Sequence, residues 1–140
     1  MHQVHPSALT PLVAFALWAV LLAFLLAFAR VGAMRAERRA VNTFRAIGDT
    51  ARLDQFSRAH MNTLENLPIF AVVYLAALWT DAAAPVVALG WTVLAARAVQ
   101  SLIHIGSVTV PAVQARAAMQ FVQFICFVWL GAAALIAANA

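Results

Sequence analysis

The sequence predicts an all-α integral membrane protein, an up-down bundle of four helices. Of its 140 residues, 65% are hydrophobic and 10% are charged, against roughly 45–50% and about 25% in a typical soluble domain. The charged side chains are therefore too few to cover a water-soluble core. All nine basic residues are arginines, and seven lie between Arg30 and Arg58 beside apolar runs. This pattern is juxtamembrane, so we expect no nucleic-acid partner.

The first half of the chain predicts helix one at about residues 11–32, a basic loop with helical ends at about 33–57 and helix two at about 58–80. The basic residues follow the first apolar run instead of preceding it, which favours a retained helix over a cleaved signal peptide. The uncharged run after Glu65 is too short to cross roughly 30 Å of hydrocarbon. Helix two must therefore begin near Asn62 or earlier and carry Glu65 into the membrane or its inner edge.

The second half predicts helix three at about 85–105 and helix four at about 116–138, so that residues 1–140 form one domain. The apolar run at 86–96 is again short, and Arg97 must lie within the span or near its inner end. Arginines mark the first and third loops, which the positive-inside rule places in the cytoplasm. We expect a multi-pass membrane protein with both termini on the non-cytoplasmic side.

Polar residues recur at helical spacing on three of the helices, and we expect them to face the protein interior as candidate site residues. Several guanidiniums with one carboxylate and an amide suit a small zwitterionic ligand that has several carboxylates. The apolar surroundings favour a lipophilic co-substrate, and a single cysteine leaves no cysteine-cluster metal site. The three stripes are Arg58, Asn62 and Glu65, with Asp54 one turn earlier; Arg97, Ser101 and His104, with Gln100 adjoining; and Arg116, Gln120 and Gln123.

Each of these residues also has a purely structural interpretation. Glu65 would pair with Arg58 or Arg97 to fix helix packing, and Arg116 would be an interfacial anchor. In the same interpretation His104 caps its helix end, His60 makes a structural hydrogen bond, and Gln120 and Gln123 link neighbouring helices.

The stretch at residues 58–70 contains Arg58-x-His60-x-Asn62-x-x-Glu65, followed by an apolar run with a proline. This pattern resembles the second-helix signature of the MAPEG family, the membrane-associated proteins in eicosanoid and glutathione metabolism. The four spans, the size and the long basic first loop agree with that family over nearly the whole chain. Arg97 with Ser101, and Arg116 after the proline loop, are also similar to family positions.

The resemblance implies a homotrimer that binds glutathione in clefts between neighbouring subunits, opening toward the cytoplasm. Asn62 and Glu65 would contact the peptide backbone and amino group of glutathione, and Arg58 its carboxylates. Arg35, on the basic extension of helix one, would reach the same ligand. The remaining glutathione-binding residues would be Arg97, Ser101 and His104, supported by His60 and Gln100. Two positions differ from the family pattern: His104 stands where many members have a tyrosine, and Met61 where some have an arginine.

The same resemblance implies that Arg116 is the catalytic residue and stabilises the glutathione thiolate. A nearby guanidinium favours the charged form of a thiol and lowers its pKa, and each pKa unit is worth about 1.4 kcal/mol. The implied function is a glutathione-dependent transferase or peroxidase that acts on lipophilic electrophiles or lipid hydroperoxides. Glutathione would be the co-substrate, with no metal.

Two other functions remain open from the sequence. One is a non-catalytic binding or scaffold protein of the same fold. The other is a small four-helix exporter, which would need a membrane-embedded carboxylate for proton coupling. Helix one has no carboxylate, and Glu65 lies near a helix entrance instead of at mid-bilayer, which disfavours the exporter.

Overall fold

The computed structural model describes residues 6–45, 47–82 and 84–140. Each of the four long helices over these residues is long and apolar enough to cross a membrane. The predicted all-α class with four spanning helices is thereby confirmed. The helices are α1 (Thr10–Glu37), α2 (Ala51–Trp79), α3 (Val86–Gly106) and α4 (Val110–Ala138).

The bundle has α2 and α3 at its centre, and each of them packs against both α1 and α4. An aromatic group holds the middle together: the Phe70 ring lies 5.2 Å from Phe15 on α1 and 6.0 Å from Phe127 on α4, between ring centroids. All three rings are buried. Aromatic pairs at such separations add about 0.5–1.5 kcal/mol each beyond the area that they bury.

The outer surface is apolar while polar side chains lie inside. Phe28, Val72 and Val128 are 70, 67 and 72% exposed, whereas Arg97 and Gln123 are wholly buried. A soluble protein could not expose so much contiguous apolar surface. The chain is therefore an integral membrane protein, with its apolar outer faces turned to hydrocarbon or to other protein.

The helices on either side of the first connection extend further than the sequence pattern indicates. α1 continues past Gly32 to Glu37, because the residues that follow are good helix formers, and it ends where Arg38 adopts a left-handed φ of 52°. α2 begins at Ala51, where the Thr50 hydroxyl accepts a hydrogen bond from the Leu53 backbone N–H at 3.3 Å. The connection is thus residues 38–50 instead of 33–57.

The start of α4 also lies earlier than predicted, at Val110 instead of residue 116. Pro111 occupies the first turn of this helix, where the missing N–H of proline leaves no hydrogen bond unmade. Arg116 consequently lies inside α4 and not at its entrance. α3, by contrast, begins and ends one residue from its predicted bounds.

The connection between α1 and α2 is closed by its own charged groups. The Arg39 guanidinium donates to both carboxylate oxygens of Asp49 and lies over the Phe44 ring, 4.5 Å from its centroid. The Asp54 carboxylate accepts from the backbone N–H groups of Gly48, at 2.9 Å, and Asp49. Hydrogen bonding from Arg39 holds the pKa of the Asp49 carboxyl below its usual value and raises the pKa of Arg39.

At the opposite end of the bundle, three helices meet at a glycine. A Cβ at Gly90 of α3 would lie 2.5 Å from Cε2 of Tyr74 and 2.9 Å from Cβ of Pro11. The Tyr74 hydroxyl donates to the Ala8 carbonyl at 2.6 Å, which ties α2 to the short 3₁₀ turn Pro6–Leu9 that precedes α1. Only a residue without a side chain allows α3 to approach this closely.

Candidate functional site

A cleft of about 370 Å³ lies where the beginning of α2, the end of α3 and the beginning of α4 meet. It is on the same end of the bundle as the basic connection. Three of the predicted site residues line it together: Arg58 from α2, His104 from α3 and Arg116 from α4. The remaining lining residues are Ala51, Asp54, Gln55, Val108 and Val113.

His104 and Arg116 are in direct contact across the cleft. Arg116 Nη1 lies 3.3 Å from Nδ1 of His104 and donates to the Ser107 carbonyl at 3.4 Å. Because a guanidinium can only donate, Nδ1 of His104 is the acceptor in this contact. The other ring nitrogen lies 3.5 Å from the Asn62 side-chain nitrogen on α2, so His104 contacts both neighbouring helices.

The polar stripe on α2 does not face the interior of its own chain as expected. Arg58 and Glu65 are exposed, and Asn62 is half-buried. The face of α2 that packs carries Thr63 and Asn66, which are 0 and 6% exposed. Small or short side chains allow the other helices to approach there, so the charged face is turned outward. For Glu65, the prediction of an inward-facing carboxylate is wrong within a single chain.

Deeper in the bundle, the polar residues of α3 and α4 bond to one another. Gln120 is the centre of this network: its side-chain oxygen accepts from Arg97 at 3.3 Å and from Gln100 at 3.2 Å. Its nitrogen donates to Asn66 on α2 at 3.0 Å. Gln123 donates to Gln100 at 3.0 Å. The prediction that the glutamines of α4 link helices is confirmed by these bonds.

Arg97 and Ser101 lie in that interior and do not line the cleft. Ser101 is 1% exposed; its hydroxyl donates to the Arg97 carbonyl at 2.9 Å and accepts from Trp18 at 3.4 Å. The Arg97 guanidinium is wholly buried, and Gln120 is its one side-chain partner within the described part of the chain. Ligands entering the cleft of one chain would not reach either residue.

Two further predicted residues lie away from the cleft. Arg35 is exposed in the last turn of α1. His60 is half-buried, and its Nδ1 is buried without a hydrogen-bond partner among residues 6–45, 47–82 and 84–140. The predicted structural hydrogen bond from His60 is therefore not formed by Nδ1.

Asp54 and Gln55 also line the cleft, although neither is among the predicted binding residues. Asp54 lies one helical turn before Arg58, and this spacing already places it on the same face as the stripe of α2.

Comparison with known proteins agrees with this architecture. The model of the MAPEG family matches residues 8–136, which is nearly the whole chain and includes all four helices. No curated protein is similar enough in sequence to be matched. With four spanning helices, a basic first connection and a match of this extent, the chain belongs to the MAPEG family.

Proposed function

We propose that this protein is a membrane-bound glutathione-dependent transferase or peroxidase that acts on lipophilic electrophiles or lipid hydroperoxides. The observation that supports it most directly is the meeting of Arg58, His104 and Arg116, from three helices, in one cleft. The volume of about 370 Å³ is within the usual range of small-molecule sites, roughly 300–1,000 Å³. Membership of the MAPEG family supports glutathione as the thiol.

The charges of the cleft suit glutathione, which has two carboxylates, one ammonium group and a thiol. Arg58 and Arg116 each offer a guanidinium, which binds carboxylates or thiolates by charge-assisted hydrogen bonds. Only Nη1 of Arg116 is engaged by described residues, so its remaining N–H groups can bind a ligand. Asp54 on the cleft wall accepts from the backbone N–H groups of Gly48 and Asp49, so the ammonium group is left to Glu65.

The proposed chemistry needs no covalent residue from the protein. Arg116 stabilises the thiolate, and the proton of the thiol leaves to water. With an aryl halide, the sulfur forms the new carbon–sulfur bond and the halide leaves with its electron pair. With a hydroperoxide, the sulfur attacks oxygen, the O–O bond breaks and an alcohol leaves; a second glutathione then reduces the sulfenic acid, giving the disulfide and water.

The exposed carboxylate of Glu65 supports a site completed between subunits. Glu65 lies about 21 Å along α2 from Trp79, at 1.5 Å per residue, which is within a hydrocarbon layer of roughly 30 Å. A charged side chain turned to lipid is costly, by about 2.5–3.5 kcal/mol at the bilayer centre and by less toward the edge where Glu65 lies. In the proposed homotrimer a neighbouring subunit covers this face, and Asn62, Glu65 and Arg35 then complete the glutathione site.

The buried residues take a supporting role in this proposal. Arg97 and Gln100 hold Gln120, which lies one turn after Arg116 on the same helix. They would therefore position the catalytic arginine from within the bundle, and Ser101 would fix Arg97. His60 would act in support only, because its Nδ1 is buried within its own chain.

The proposed location is the bacterial inner membrane, with the cleft opening to the cytoplasm. The basic connection before α2 and the beginning of α4, with Arg116, lie on one end of the bundle. The positive-inside rule places that end in the cytoplasm and both termini outside. Glutathione is then drawn from the cytoplasm, and the lipophilic substrate from the bilayer.

Activity of the purified protein tests the proposal. Rates with glutathione and either chlorodinitrobenzene or cumene hydroperoxide are compared for the wild type, Arg116→Ala and Glu65→Gln. Arg45→Ala is the matched control, because Arg45 is an exposed arginine outside the cleft. We expect Arg116→Ala to lower kcat at least about tenfold, the equivalent of one pKa unit of the thiol, and Arg45→Ala to retain the wild-type rate.

Glu65→Gln should raise the KM for glutathione more than it changes kcat, since Glu65 would bind the ammonium group and not the sulfur. Calorimetric titration of glutathione into the detergent-solubilised protein checks binding separately from turnover. If the wild type and all variants reacted no faster than the uncatalysed reaction in buffer, catalysis at this cleft would be rejected. If glutathione also did not bind, the proposal that glutathione is the ligand would be rejected as well.

A further inference from the structure

The guanidinium of Arg116 is held on one side by two acceptors, one near the end of α3 and one just after it. Nη1 of Arg116 lies 3.3 Å from Nδ1 of His104 and 3.4 Å from the Ser107 carbonyl oxygen. These two contacts occupy Nη1. The other N–H groups of Arg116, at Nη2 and Nε, make no hydrogen bond to residues 6–45, 47–82 or 84–140. They are therefore the groups that can reach a ligand in the cleft.

His104 is itself in contact with a third helix. Its Nε2 lies 3.5 Å from the side-chain nitrogen of Asn62 on α2, and its ring is half-buried at the wall of the cleft. Nδ1 and Nε2 belong to one rigid ring, so the contact of Nε2 with α2 also constrains where Nδ1 lies. Contacts thus run from Asn62 through the His104 ring to Arg116.

The guanidinium of Arg116 needs an anchor of its own because it lies several rotatable bonds from the helix. The hydrogen bonds of Gln120 fix the register of α4, but they leave those bonds of Arg116 free. Imidazole and carbonyl acceptors have no negative charge, so they hold the guanidinium without neutralising it. A carboxylate would do both, and the carboxylate of Asp54 in the cleft is occupied by backbone N–H groups.

We propose that His104 is a positioning residue, whose Nδ1 holds the Arg116 guanidinium where it stabilises the glutathione thiolate. This inference rests on the proposed function, in which Arg116 is the catalytic residue. Donors stabilise a developing charge best when they are fixed before the reaction begins, and misplacing a catalytic group by about 1 Å can cost up to about a hundredfold in rate. His104 acts through Arg116 and does not need to touch the sulfur.

Two substitutions separate the two contacts of the imidazole. In asparagine the side-chain oxygen is bonded to Cγ, as Nδ1 is in histidine. His104→Asn therefore keeps an acceptor for Arg116 and loses the atom that faces Asn62. In glutamine the amide is one bond further from the backbone, near the place of Nε2. His104→Gln therefore keeps the contact with Asn62 and loses the acceptor for Arg116, while His104→Leu loses both.

The readouts are kcat and the KM for glutathione with chlorodinitrobenzene, and the ultraviolet absorbance of the thiolate of bound glutathione, which needs no second substrate. We expect the kcat of His104→Gln to be about tenfold below that of His104→Asn, with a weaker thiolate absorbance and a similar KM. His104→Leu should behave as His104→Gln does. Thermal unfolding without glutathione checks that each variant folds, and if His104→Gln does not, the comparison of His104→Leu with His104→Asn decides.

The alternatives to a positioning role give different results. If His104 only linked α2 to α3, His104→Gln would retain more activity than His104→Asn, and if it only bound glutathione, the variants would raise KM and leave kcat similar. Either result, or equal kcat and thiolate absorbance in the two variants, would overturn the role of His104 while an active wild type upheld the proposed function. A wild type with neither turnover nor thiolate absorbance would overturn the proposed function and the role of His104 with it.

Discussion

Replacing Gly90 with alanine tests the packing of the bundle most sharply. The new methyl group would lie 2.5 Å from the Tyr74 ring and 2.9 Å from Pro11, well inside the separation of about 3.5–4.0 Å at which carbon atoms pack. Tyr74 is 0% exposed, and its hydroxyl is held by the Ala8 carbonyl. The ring cannot turn aside without losing that hydrogen bond, so α3 must move away from α1 and α2.

The magnitude follows from two opposing effects. Forcing an extra methyl into a close-packed site costs about 1–3 kcal/mol, while removing a glycine from a helix interior gains about 1 kcal/mol. Gly131→Ala is the matched control. It also removes a glycine from a helix interior, with the same gain in stability, and its new Cβ would meet only Val73 at 3.7 Å, an ordinary contact. The difference between the two variants therefore isolates the packing cost, about 1–3 kcal/mol.

Thermal unfolding of both variants in one detergent, followed by tryptophan fluorescence, measures this difference. At roughly 3 °C per kcal/mol for a chain of this size, Gly90→Ala should melt about 3–9 °C below Gly131→Ala. Gly131→Ala should melt at or slightly above the wild type. If Gly90→Ala melted as high as Gly131→Ala, the close approach of α3 to Tyr74 would be refuted.

Three further substitutions test the ends of the helices. Because Arg39 lowers the pKa of Asp49, their ion pair stabilises the connection above roughly pH 4 and is lost as pH falls below the lowered pKa. Proteolysis of the connection should therefore accelerate on acidification in the wild type, whereas in Asp49→Asn it should already be faster at neutral pH and should accelerate less on acidification. Thr50→Ala should lower the free energy of unfolding by about 0.5–2 kcal/mol through loss of the helix cap; a denaturant titration showing no change would contradict the cap. Tyr74→Phe should cost about 1 kcal/mol and speed amide exchange near Ala8, and unchanged exchange would argue against the hydroxyl contact.

The number of helices and the burial of Arg97 could be predicted because hydrocarbon thickness constrains them. A run too short to span must take in the next polar residues, whatever these are. The ends of the helices could not be predicted in the same way. Beyond the membrane no length requirement applies. The good helix formers from Ala33 to Glu37 favour a longer helix without fixing where it ends, and Pro111 is compatible with a first helical turn or with a loop.

The sequence predicts at which level of the bundle the site residues lie, but not which face of each helix is turned inward. Arg58, His104 and Arg116 meet because three antiparallel helices bring residues near their ends to one level of the bundle. Spacing also shows that Arg58 and Glu65 share a face, but it does not show which face packs inward. That choice was decided by the short side chains of Thr63 and Asn66, which permit closer helix contact than the charged face would.

The interior network explains how a flexible arginine can be held at a fixed place in such a bundle. Gln120 accepts from Arg97 and Gln100 on α3 and donates to Asn66 on α2. A shift of α4 by one residue would break all three hydrogen bonds in an apolar interior, where no water replaces them. The register of α4 is therefore fixed by polar contacts that no apolar packing could specify as narrowly. Since Arg116 lies one turn before Gln120, the same contacts set its position opposite His104.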